Sequence, residues 1–430
     1  NKIFCKLPAS IFQHPTSITQ RMLLKKSTLK SNQTIKISGS KSISNRLLIL
    51  NHLFDKILIE NLSNSQDTEL LEKALNSNSE IIDIHHAGTA MRFLTSYFAI
   101  QEEKTVVLTG SERMKQRPIK FLVDALKELG SEISYLEDEG FPPLKITGKK
   151  LEKSSITIPA NISSQFISSL MLIGGKLENG LKINLEGEIT SRPYLEMTLK
   201  ILRNVGISTN WEGNTIQILP DIQSEKSSQL TKFVVESDWS SASYFYSLAA
   251  IGREYINLKS FRQYSLQGDS VLKEIYWNFF GVNTISEAAE NKISLLPEPY
   301  FDFPEKIYLD MNDCPDIAQT LCVTATALNI PFEITGLQTL KVKETDRLLA
   351  LKNELFKIGC IAEITDDSIK SVKFFAPNEN ISIETYNDHR MAMSFAPFCL
   401  VKELNIENEG VVEKSYPEFW EDLKKIAIEE

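Results

Sequence analysis

Lysine and arginine residues recur beside small residues at the predicted starts of several helices. A helix N-terminus presents free backbone N–H groups and the positive end of the helix dipole, so a fixed cation beside it forms a site for phosphate or carboxylate. Because the pattern repeats, we expect a ligand with several negative charges, and scattered surface charges are the less favoured interpretation. The cations are Lys41, Arg46, Arg92, Arg113, Lys115, Arg117, Lys343, Arg347, Arg390 and, near the C-terminus, Lys414.

Two carboxylates in the same half of the chain could exchange protons with such a ligand. Asp316 lies in the sequence CPD before an apolar helix, where it could act as a general base or simply pair with the helix dipole. Glu344 lies in KVKETDR, residues 341–347, which we expect to form the first turn of an amphipathic helix. It is either a proton donor beside a cationic anion site or half of a surface ion pair with Arg347 at a helix start that Thr345 or Asp346 caps. We leave His389 out of the catalytic group because an isolated histidine is more often a packing residue.

The composition is that of an ordinary globular protein and disfavours several functions. The chain has 430 residues and a formal charge of −9, so its overall field repels polyanions and nucleic acid is not an expected partner. The five cysteines lie far apart, no Walker-type loop or dinucleotide-binding glycine motif occurs, and no apolar run is long enough to span a membrane. We therefore expect a cytoplasmic protein that has no metal site and no membrane partner.

Two kinds of predicted helix alternate along the chain and are separated by short β-branched strands. One kind begins with small polar residues and is apolar on every side, which predicts burial. The other kind is amphipathic and often ends in glycine, and Gly130, Gly206, Gly281 and Gly359 recur at nearly equal intervals. About six such units predict an α/β fold with two domains of three units, a boundary near residues 236–240, and a ligand site in the crevice between the domains.

A series of motifs, all in one order, resembles the EPSP synthase family across nearly the whole chain. They are GSKSISNR, HAGTAMR, LTGSERMKQRP, FPPLKITG, SSQF, SRPY, ESDWSSASY, QGD, PD, KVKETDR, YNDHRMAMSF and EKSYPEFW. The resemblance implies the two-domain inside-out α/β barrel of enolpyruvyl transferases, with six βαβαββ repeats and three in each domain. It also implies one discontinuous domain of residues 1–38 plus 238–430, a second domain of residues 39–237, and an active site in the cleft between them.

The resemblance implies a reaction as well. Members of the family transfer the enolpyruvyl group of phosphoenolpyruvate to the 5-hydroxyl of shikimate 3-phosphate by addition and elimination. The products are 5-enolpyruvylshikimate 3-phosphate, on the shikimate pathway to chorismate and the aromatic amino acids, and phosphate. Because the family needs no metal or other cofactor and is expected to be monomeric, the expected partners are the two small-molecule substrates.

The site residues implied by the resemblance form three overlapping groups. The catalytic residues are Asp316 as the base and Glu344 as the acid, with assistance from Lys41 or Lys343. The residues around shikimate 3-phosphate are Lys41, Ser42, Arg46, Ser163, Ser164, Gln165, Ser191, Tyr194, Asp316, Thr339 and Lys343. The residues around phosphoenolpyruvate are Lys41, Gly88, Arg92, Arg117, Gln165, Arg347, Arg390 and Lys414.

Three residues depart from the family pattern, and two other functions stay open. His86 stands where asparagine is usual, Phe93 where proline follows the arginine, and Thr339 where an asparagine commonly contacts the shikimate ligand. The first two leave sensitivity to the inhibitor glyphosate unpredicted. The related UDP-N-acetylglucosamine enolpyruvyl transferases usually carry a reactive cysteine in the loop that here reads RMKQRP, residues 113–118, without a cysteine. The second alternative is a non-catalytic relative that only binds anions.

Overall fold

The computed structural model describes residues 20–221 and 230–430 and shows a mixed α/β protein. Cys5 and the N-terminal part of the predicted 1–38 segment lie outside the described residues. Within them, the strands are β1 Arg21–Leu24, β2 Ser27–Leu29, β3 Gln33–Lys36, β4 Ile57–Glu60, β5 Ile81–Asp83, β6 Thr105–Thr109, β7 Glu132–Tyr135, β8 Leu144–Thr147, β9 Ser155–Pro159, β10 Leu181–Glu186, β11 Thr209–Glu212, β12 Thr215–Ile218, β13 Thr231–Val234, β14 Ile256–Lys259, β15 Val282–Glu287, β16 Lys292–Pro297, β17 Ile307–Asp310, β18 Phe332–Thr335, β19 Cys360–Ile364, β20 Ile369–Phe374, β21 Ile381–Ile383, β22 Leu404–Glu407 and β23 Ala427–Glu429. The α-helices are α1 Lys41–Phe54, α2 Gln66–Leu75, α3 Gly88–Ala99, α4 Glu112–Lys115, α5 Lys120–Glu128, α6 Ser164–Gly174, α7 Arg192–Asn204, α8 Trp239–Gly252, α9 Leu272–Phe280, α10 Ala318–Ala327, α11 Arg347–Lys357, α12 His389–Phe395 and α13 Phe419–Ile426. Short 3-10 helices span Gly268–Val271, Ala288–Glu290, Pro315–Ile317, Gln338–Val342, Ala396–Leu400 and Glu409–Lys414.

Four of the sheets share one topology, in which a parallel pair of strands continues into an antiparallel pair. Their strand orders are β5-β6-β8-β7, β9-β10-β12-β11, β3-β14-β16-β15 and β17-β18-β20-β19. The other described strands form the sheets β4-β13, β1-β22-β21 and β2-β23. A parallel pair needs a crossover connection, which a buried helix supplies where α3 joins β5 to β6, α6 joins β9 to β10, and α10 joins β17 to β18. The predicted α/β class is confirmed.

The apolar helices lie at the centres of two separate hydrophobic cores. The first core consists of buried apolar residues in the range 43–235, where α1, α3 and α6 pack against one another. The second core combines buried apolar residues of the ranges 29–37 and 239–426, where α10 packs against α8 and α12. Nearly all residues of α3 and α8 are buried, so the burial predicted from their apolar composition is confirmed.

The chain crosses between the two cores twice, and the two crossing segments lie side by side. The backbone N–H of Ser40 donates to the carbonyl oxygen of Glu236 at 2.8 Å. Gly39, the residue before Ser40, has no room for a side chain, because an added Cβ would lie 1.9 Å from the carbonyl oxygen of Asn61. Only glycine therefore fits where this crossing segment passes the backbone of Asn61.

One predicted helix start differs from the structure. The KVKETDR segment is not the first turn of a helix: a 3-10 helix ends within it, at Gln338–Val342, and α11 begins only at Arg347. The cause is capping, since Asp346 Oδ1 accepts a hydrogen bond from the N–H of Leu349 at 3.1 Å and so satisfies a donor of the first helical turn. The CPD segment forms a 3-10 turn, Pro315–Ile317, directly before α10, the apolar helix predicted to follow it.

The remaining observations concern the cysteines, possible metal ligands and possible membrane-spanning helices. The described cysteines, Cys314, Cys322, Cys360 and Cys399, are buried free thiols. Within residues 20–221 and 230–430, no group of three or more His, Cys, Asp or Glu side chains is arranged to hold a metal ion. Over the same ranges, no helix combines the length and the apolar composition needed to cross a bilayer.

Candidate active site

A cleft between the two cores contains a cavity of about 370 Å³. The predicted site residues that line it are Lys41, Ser42, Arg46, Gly88, Arg92, Arg117, Ser163, Ser164, Gln165, Ser191, Tyr194, Asp316, Thr339, Lys343, Glu344, Arg347 and Arg390. The remaining one, Lys414, lines an adjoining cavity of about 890 Å³ that shares Arg117 and Glu344 with the first. The structure therefore brings together all the residues that the family resemblance assigned to substrates and catalysis.

Several residues just before the helices of the cleft have a left-handed backbone conformation. The angle φ is 50° at His85, 53° at Ser191, 53° at Tyr386 and 54° at Asn387, and none of these residues is glycine. Such conformations cost energy when a side chain is present, and they concentrate at functional sites. Here they precede α3, α7 and α12 and direct the starts of these helices into the cleft.

Arg347 lies at the centre of the wall contributed by the second core. Its guanidinium contacts three carboxylates: Nε to Asp388 Oδ2 at 2.6 Å, Nη2 to Glu344 Oε2 at 2.7 Å, and Nη1 to Asp316 Oδ1 at 3.1 Å. The side chain is only 2% exposed. Burial alone would lower the pKa of Arg347, but Asp388, Glu344 and Asp316 raise it above its ordinary value. The guanidinium is thus a fixed positive charge that holds both candidate proton-transfer groups.

Asp316 is surrounded by cations of the same wall. Besides Arg347, its carboxylate lies 3.4 Å from Lys343 Nζ and 3.2 Å from Arg390 Nη2. Burial would raise the pKa of Asp316, but Arg390, Lys343 and Arg347 together hold it well below its usual range. The carboxylate is therefore ionised and able to accept a proton, as a general base must be.

Glu344 lies at the junction of the two cavities. Its Oε1 atom is 2.8 Å from Lys414 Nζ and 3.6 Å from Arg117 Nη1, a residue of the first core. Burial would raise the pKa of Glu344, but Lys414, Arg347 and Arg117 hold it well below its ordinary value. Like Asp316, it is an ionised carboxylate whose charge is balanced by the cations predicted to bind substrate.

The wall contributed by the first core holds its cations differently. Arg46 donates to Thr198 Oγ1 at 2.7 Å, to the carbonyl oxygen of Ser42 at 2.8 Å and to Ser168 Oγ at 3.1 Å. Arg92 donates to carbonyl oxygens, among them that of Pro118 at 3.1 Å. Among the described residues, no carboxylate forms an ion pair with either guanidinium. Burial lowers the pKa of Arg46 to about 10. The guanidiniums of Arg46 and Arg92 therefore carry positive charge without a carboxylate partner among the described residues.

Lys41 is paired with a carboxylate that sequence reasoning missed. Its Nζ lies 3.2 Å from Oδ2 of Asp67, which is 2% exposed and lines the cavity. Asp67 stands directly before the segment TELLEKALN that predicts α2, so its position in a first helical turn was the available signal.

His86, one of the departures from the family pattern, lies close to the same carboxylate, with Nε2 4.0 Å from Asp67 Oδ1. Burial, followed by the positive charge of Lys414, lowers the pKa of His86 to about 4. His86 is therefore neutral.

Gly88 is needed for the close approach of Arg117. A Cβ added at Gly88 would lie 2.4 Å from Arg117 Nη1. The glycine therefore allows the guanidinium to lie against the start of α3, where free backbone N–H groups are available to the same anion.

Other residues of the cleft were also missed. His389 is buried and lines the cavity; burial together with the charges of Lys41 and Arg390 holds its pKa well below the usual range, so the imidazole is neutral. Its position directly before Arg390 could have indicated from the sequence that His389 lies in the cleft. Asn161 and Gln338 line the cavity from a turn and from the start of a 3-10 helix, where no motif marks them.

Two solved structures resemble the whole architecture. An EPSP synthase from Acinetobacter baumannii matches with a TM-score of 0.68 over 95% of this chain and 98% of that chain, at 21% sequence identity. The enolpyruvyl transferase NikO from Streptomyces tendae matches with a TM-score of 0.69 over 95% of this chain and 98% of that chain, at 13% identity. At such identities the likeness concerns the fold alone, and that fold is the one of enolpyruvyl transferases.

Sequence comparisons narrow this class. The sequence model of the family EPSP synthase (3-phosphoshikimate 1-carboxyvinyltransferase) matches residues 71–423. A protein named 3-phosphoshikimate 1-carboxyvinyltransferase from Bacteroides fragilis (strain YCH46) is 46% identical over 92% of this chain and 95% of its own length. One from Haemophilus influenzae (strain PittGG) is 33% identical over 92% of this chain and 96% of its own length. The chain belongs to the EPSP synthase family, and the resemblance seen in the motifs is confirmed.

Proposed function

We propose that this protein transfers the enolpyruvyl group of phosphoenolpyruvate to the 5-hydroxyl of shikimate 3-phosphate and releases phosphate. The observation that carries the proposal is the meeting of Asp316 and Glu344 in one cleft with cations from both cores. Each substrate carries a phosphate and a carboxylate, and several negative charges can be brought together only where fixed cations balance them. Family membership supports the same reaction.

We assign shikimate 3-phosphate to the part of the cleft around Arg46, Lys343 and the hydroxyl-bearing helix starts. The full set is the one expected from the sequence: Lys41, Ser42, Arg46, Ser163, Ser164, Gln165, Ser191, Tyr194, Asp316, Thr339 and Lys343. Phosphoenolpyruvate is assigned to Lys41, Gly88, Arg92, Arg117, Gln165, Arg347, Arg390 and Lys414. The hydrogen bond from Gln165 Nε2 to Thr89 Oγ1 at 3.2 Å supports a place for Gln165 between the two groups.

The chemistry proceeds by addition and then elimination. Asp316 accepts the proton of the 5-hydroxyl as the hydroxyl oxygen bonds to C2 of phosphoenolpyruvate. Glu344, which takes up a proton from solvent once substrate anions have drawn its cations away, delivers that proton to the methylene carbon, with Lys41 or Lys343 assisting. Elimination returns a proton from the same carbon to Glu344 as the bond between C2 and the phosphate oxygen breaks, and the proton held by Asp316 leaves with the phosphate. Substrate anions compete with these carboxylates for Arg347, Lys343 and Lys414. As the cations turn to substrate, the pKa values of Asp316 and Glu344 rise towards the range in which proton exchange is efficient.

The finer architecture is also a proposal. The four sheets of common topology, together with the parallel pairs β4-β13 and β21-β22, support six βαβαββ units in an inside-out α/β barrel. The two cores support the domains expected from the sequence, residues 1–38 plus 238–430 and residues 39–237. A monomeric, cytoplasmic enzyme without nucleic-acid or membrane partners stays a prediction from the sequence.

Phosphate release by the purified full chain tests the function. We expect release from phosphoenolpyruvate only when shikimate 3-phosphate is present, and none with UDP-N-acetylglucosamine as the acceptor. Asp316→Asn and Glu344→Gln should each lower kcat by about 10²- to 10⁴-fold, the range typical of a lost acid or base. The matched control Asp313→Asn changes an exposed carboxylate of the same loop and should stay within about threefold of wild type.

Two results would contradict the proposal. Release supported by UDP-N-acetylglucosamine would assign the chain to the related transferase reaction. No release with either acceptor, although phosphoenolpyruvate and shikimate 3-phosphate bind, would leave a relative that binds anions without converting them.

A further inference from the structure

Arg113 connects the first core to the backbone that carries Glu344. Its Nε donates to the carbonyl oxygen of Glu344 at 2.9 Å and its Nη2 donates to the carbonyl oxygen of Lys343 at 3.1 Å. The residue is exposed and lines only the adjoining cavity, so it belongs to none of the substrate groups assigned above. We propose that Arg113 is a positioning residue, which fixes the Lys343–Glu344 backbone against the first core and thereby sets both side chains for catalysis. This inference rests on the proposed function.

The backbone from which the Arg113 side chain extends is held firmly in the first core. Arg113 belongs to the short helix α4, which Ser111 caps by accepting a hydrogen bond from the N–H of Met114 at 3.3 Å. Met114 is 1% exposed and belongs to the first core. A planar guanidinium presents several N–H groups in a rigid arrangement and can therefore hold two neighbouring carbonyl oxygens at once. The ammonium of lysine has no such planar geometry.

The segment that Arg113 holds lacks support from regular structure. Lys343 has an extended backbone, with φ −84° and ψ −150°, and lies between the end of a 3-10 helix and the start of α11 at Arg347. Yet this segment carries two groups of the proposed reaction, since Lys343 Nζ lies 3.4 Å from Asp316 and Glu344 Oε1 lies 2.8 Å from Lys414 Nζ. A shift of the backbone would displace both groups together, and a displacement of about 1 Å can cost about 10²-fold in rate.

Other contacts between the cores at this place involve substrate-binding groups. Arg117 reaches Glu344 at 3.6 Å, and Lys414 Nζ donates to the carbonyl oxygen of His86 at 3.1 Å. Phosphoenolpyruvate would engage the charges of both cations, so neither contact can hold the segment throughout the reaction. Arg113 donates to the carbonyl oxygens of Lys343 and Glu344 and, on its own side, to Gln116 Oε1 at 3.4 Å. None of these acceptors is a group assigned to bind substrate through its charge, so Arg113 can keep these bonds while the substrates are bound.

The test compares Arg113→Ala and Arg113→Lys with the control Arg203→Ala in the full chain. Arg203 is also exposed and also donates two hydrogen bonds, to Thr209 Oγ1 at 2.8 Å and Thr209 O at 3.2 Å, but both lie within the first core. We expect kcat to fall about 10- to 100-fold in both Arg113 variants, with KM for either substrate within about threefold. Guanidinium chloride at low millimolar concentration should partly restore Arg113→Ala and leave Arg203→Ala unchanged.

Hydrogen exchange gives a readout that does not depend on turnover. Backbone amides of residues 338–347 should exchange faster in Arg113→Ala than in wild type or Arg203→Ala. A kcat for Arg113→Ala like that of Arg203→Ala, or a raised KM for phosphoenolpyruvate at unchanged kcat, would overturn the positioning role. Unchanged exchange would show that the contact does not hold the segment. If wild type released no phosphate but the amides of residues 338–347 still exchanged faster in Arg113→Ala, the structural role of Arg113 would be supported and the proposed function would be contradicted.

Discussion

On the second-core wall of the cleft, Arg347 donates to three carboxylates, whereas on the first-core wall Arg46 donates only to hydroxyl and carbonyl oxygens. Both guanidiniums are nearly fully buried, at 2% and 3% exposure. Burial lowers the pKa of Arg46 to about 10, while at Arg347 the carboxylates outweigh burial and raise the pKa. The same side chain is therefore used in two electrostatic settings within one cavity.

This difference in partners predicts that removing an arginine from one wall mainly lowers the stability of the fold, whereas removing one from the other wall mainly lowers the affinity for a ligand anion. A buried cation with carboxylate partners is needed by those partners, so its removal leaves uncompensated buried anions. A buried cation among neutral oxygens has partners that survive without it, and its charge remains available to a ligand anion. We infer that the second-core wall depends on its cations to stay folded, and that Arg46 and Arg92 of the first-core wall serve mainly to attract phosphate.

Arg347→Met should produce the largest loss of stability. Asp388 is 0% exposed and would lose hydrogen bonds from Nε at 2.6 Å and from Nη2 at 3.3 Å. Removing one partner of a buried ion pair typically destabilises by about 3–5 kcal/mol, and we expect a loss of free energy of unfolding in that range. Urea denaturation followed by tryptophan fluorescence measures it. Arg203→Met, which removes an exposed arginine, should stay within about 0.5 kcal/mol of wild type.

A smaller loss would change the comparison. If Arg347→Met lost less than about 1 kcal/mol, the three carboxylates would have found other partners among the cations of the wall. The second-core wall would then be as tolerant as we expect the first-core wall to be.

Asp269 lies where the two walls meet and should give an intermediate effect that depends on pH. Its carboxylate accepts hydrogen bonds from Tyr194 Oη of the first core, at 3.0 Å, and from Ser240 Oγ of the second. Burial raises its pKa to about 6, against the opposing charge of Arg390. The folded protein therefore keeps a proton on Asp269 between pH 4 and 6, where the unfolded chain has lost it, and stability falls as pH rises through this window.

The variant Asp269→Asn isolates this effect. Relative to the variant, wild type should lose about 2 kcal/mol of unfolding free energy between pH 4 and pH 6, which is most of the effect expected when the pKa is raised from 3.8 to about 6. Denaturation at a series of pH values measures the difference. Asp302→Asn removes an exposed carboxyl of the second core and controls for the change in net charge. A difference between wild type and Asp269→Asn that stays constant with pH would show that Asp269 remains ionised in the folded protein.

The sequence predicted most of the site because local patterns mark helix starts. Small polar residues before an apolar run placed Lys41, Arg92 and Arg390 at the starts of buried helices, and the structure has them there. The pairing of Lys41 with Asp67 was not predictable in this way, since it depends on how α1 and α2 pack. The helical interpretation of KVKETDR was wrong because the sequence offered Thr345 and Asp346 as possible caps without choosing between them, and the cap in the structure is Asp346, which places the helix start at Arg347.

Arg46→Met should have the smallest effect on stability and therefore completes the comparison. Without the guanidinium, the hydroxyls of Ser168 and Thr198 keep hydrogen-bond partners. Ser168 Oγ lies 3.0 Å from Thr198 Oγ1, and Thr198 Oγ1 donates to the carbonyl oxygen of Tyr194 at 2.8 Å. Loss of the guanidinium hydrogen bonds is offset by removal of a desolvated charge, so we expect a change below about 1.5 kcal/mol in the same urea assay. Affinity for shikimate 3-phosphate should nevertheless fall about 10- to 100-fold, which corresponds to one lost charged hydrogen bond. A loss of stability equal to that of Arg347→Met would mean that neutral oxygens need their cation as much as carboxylates do.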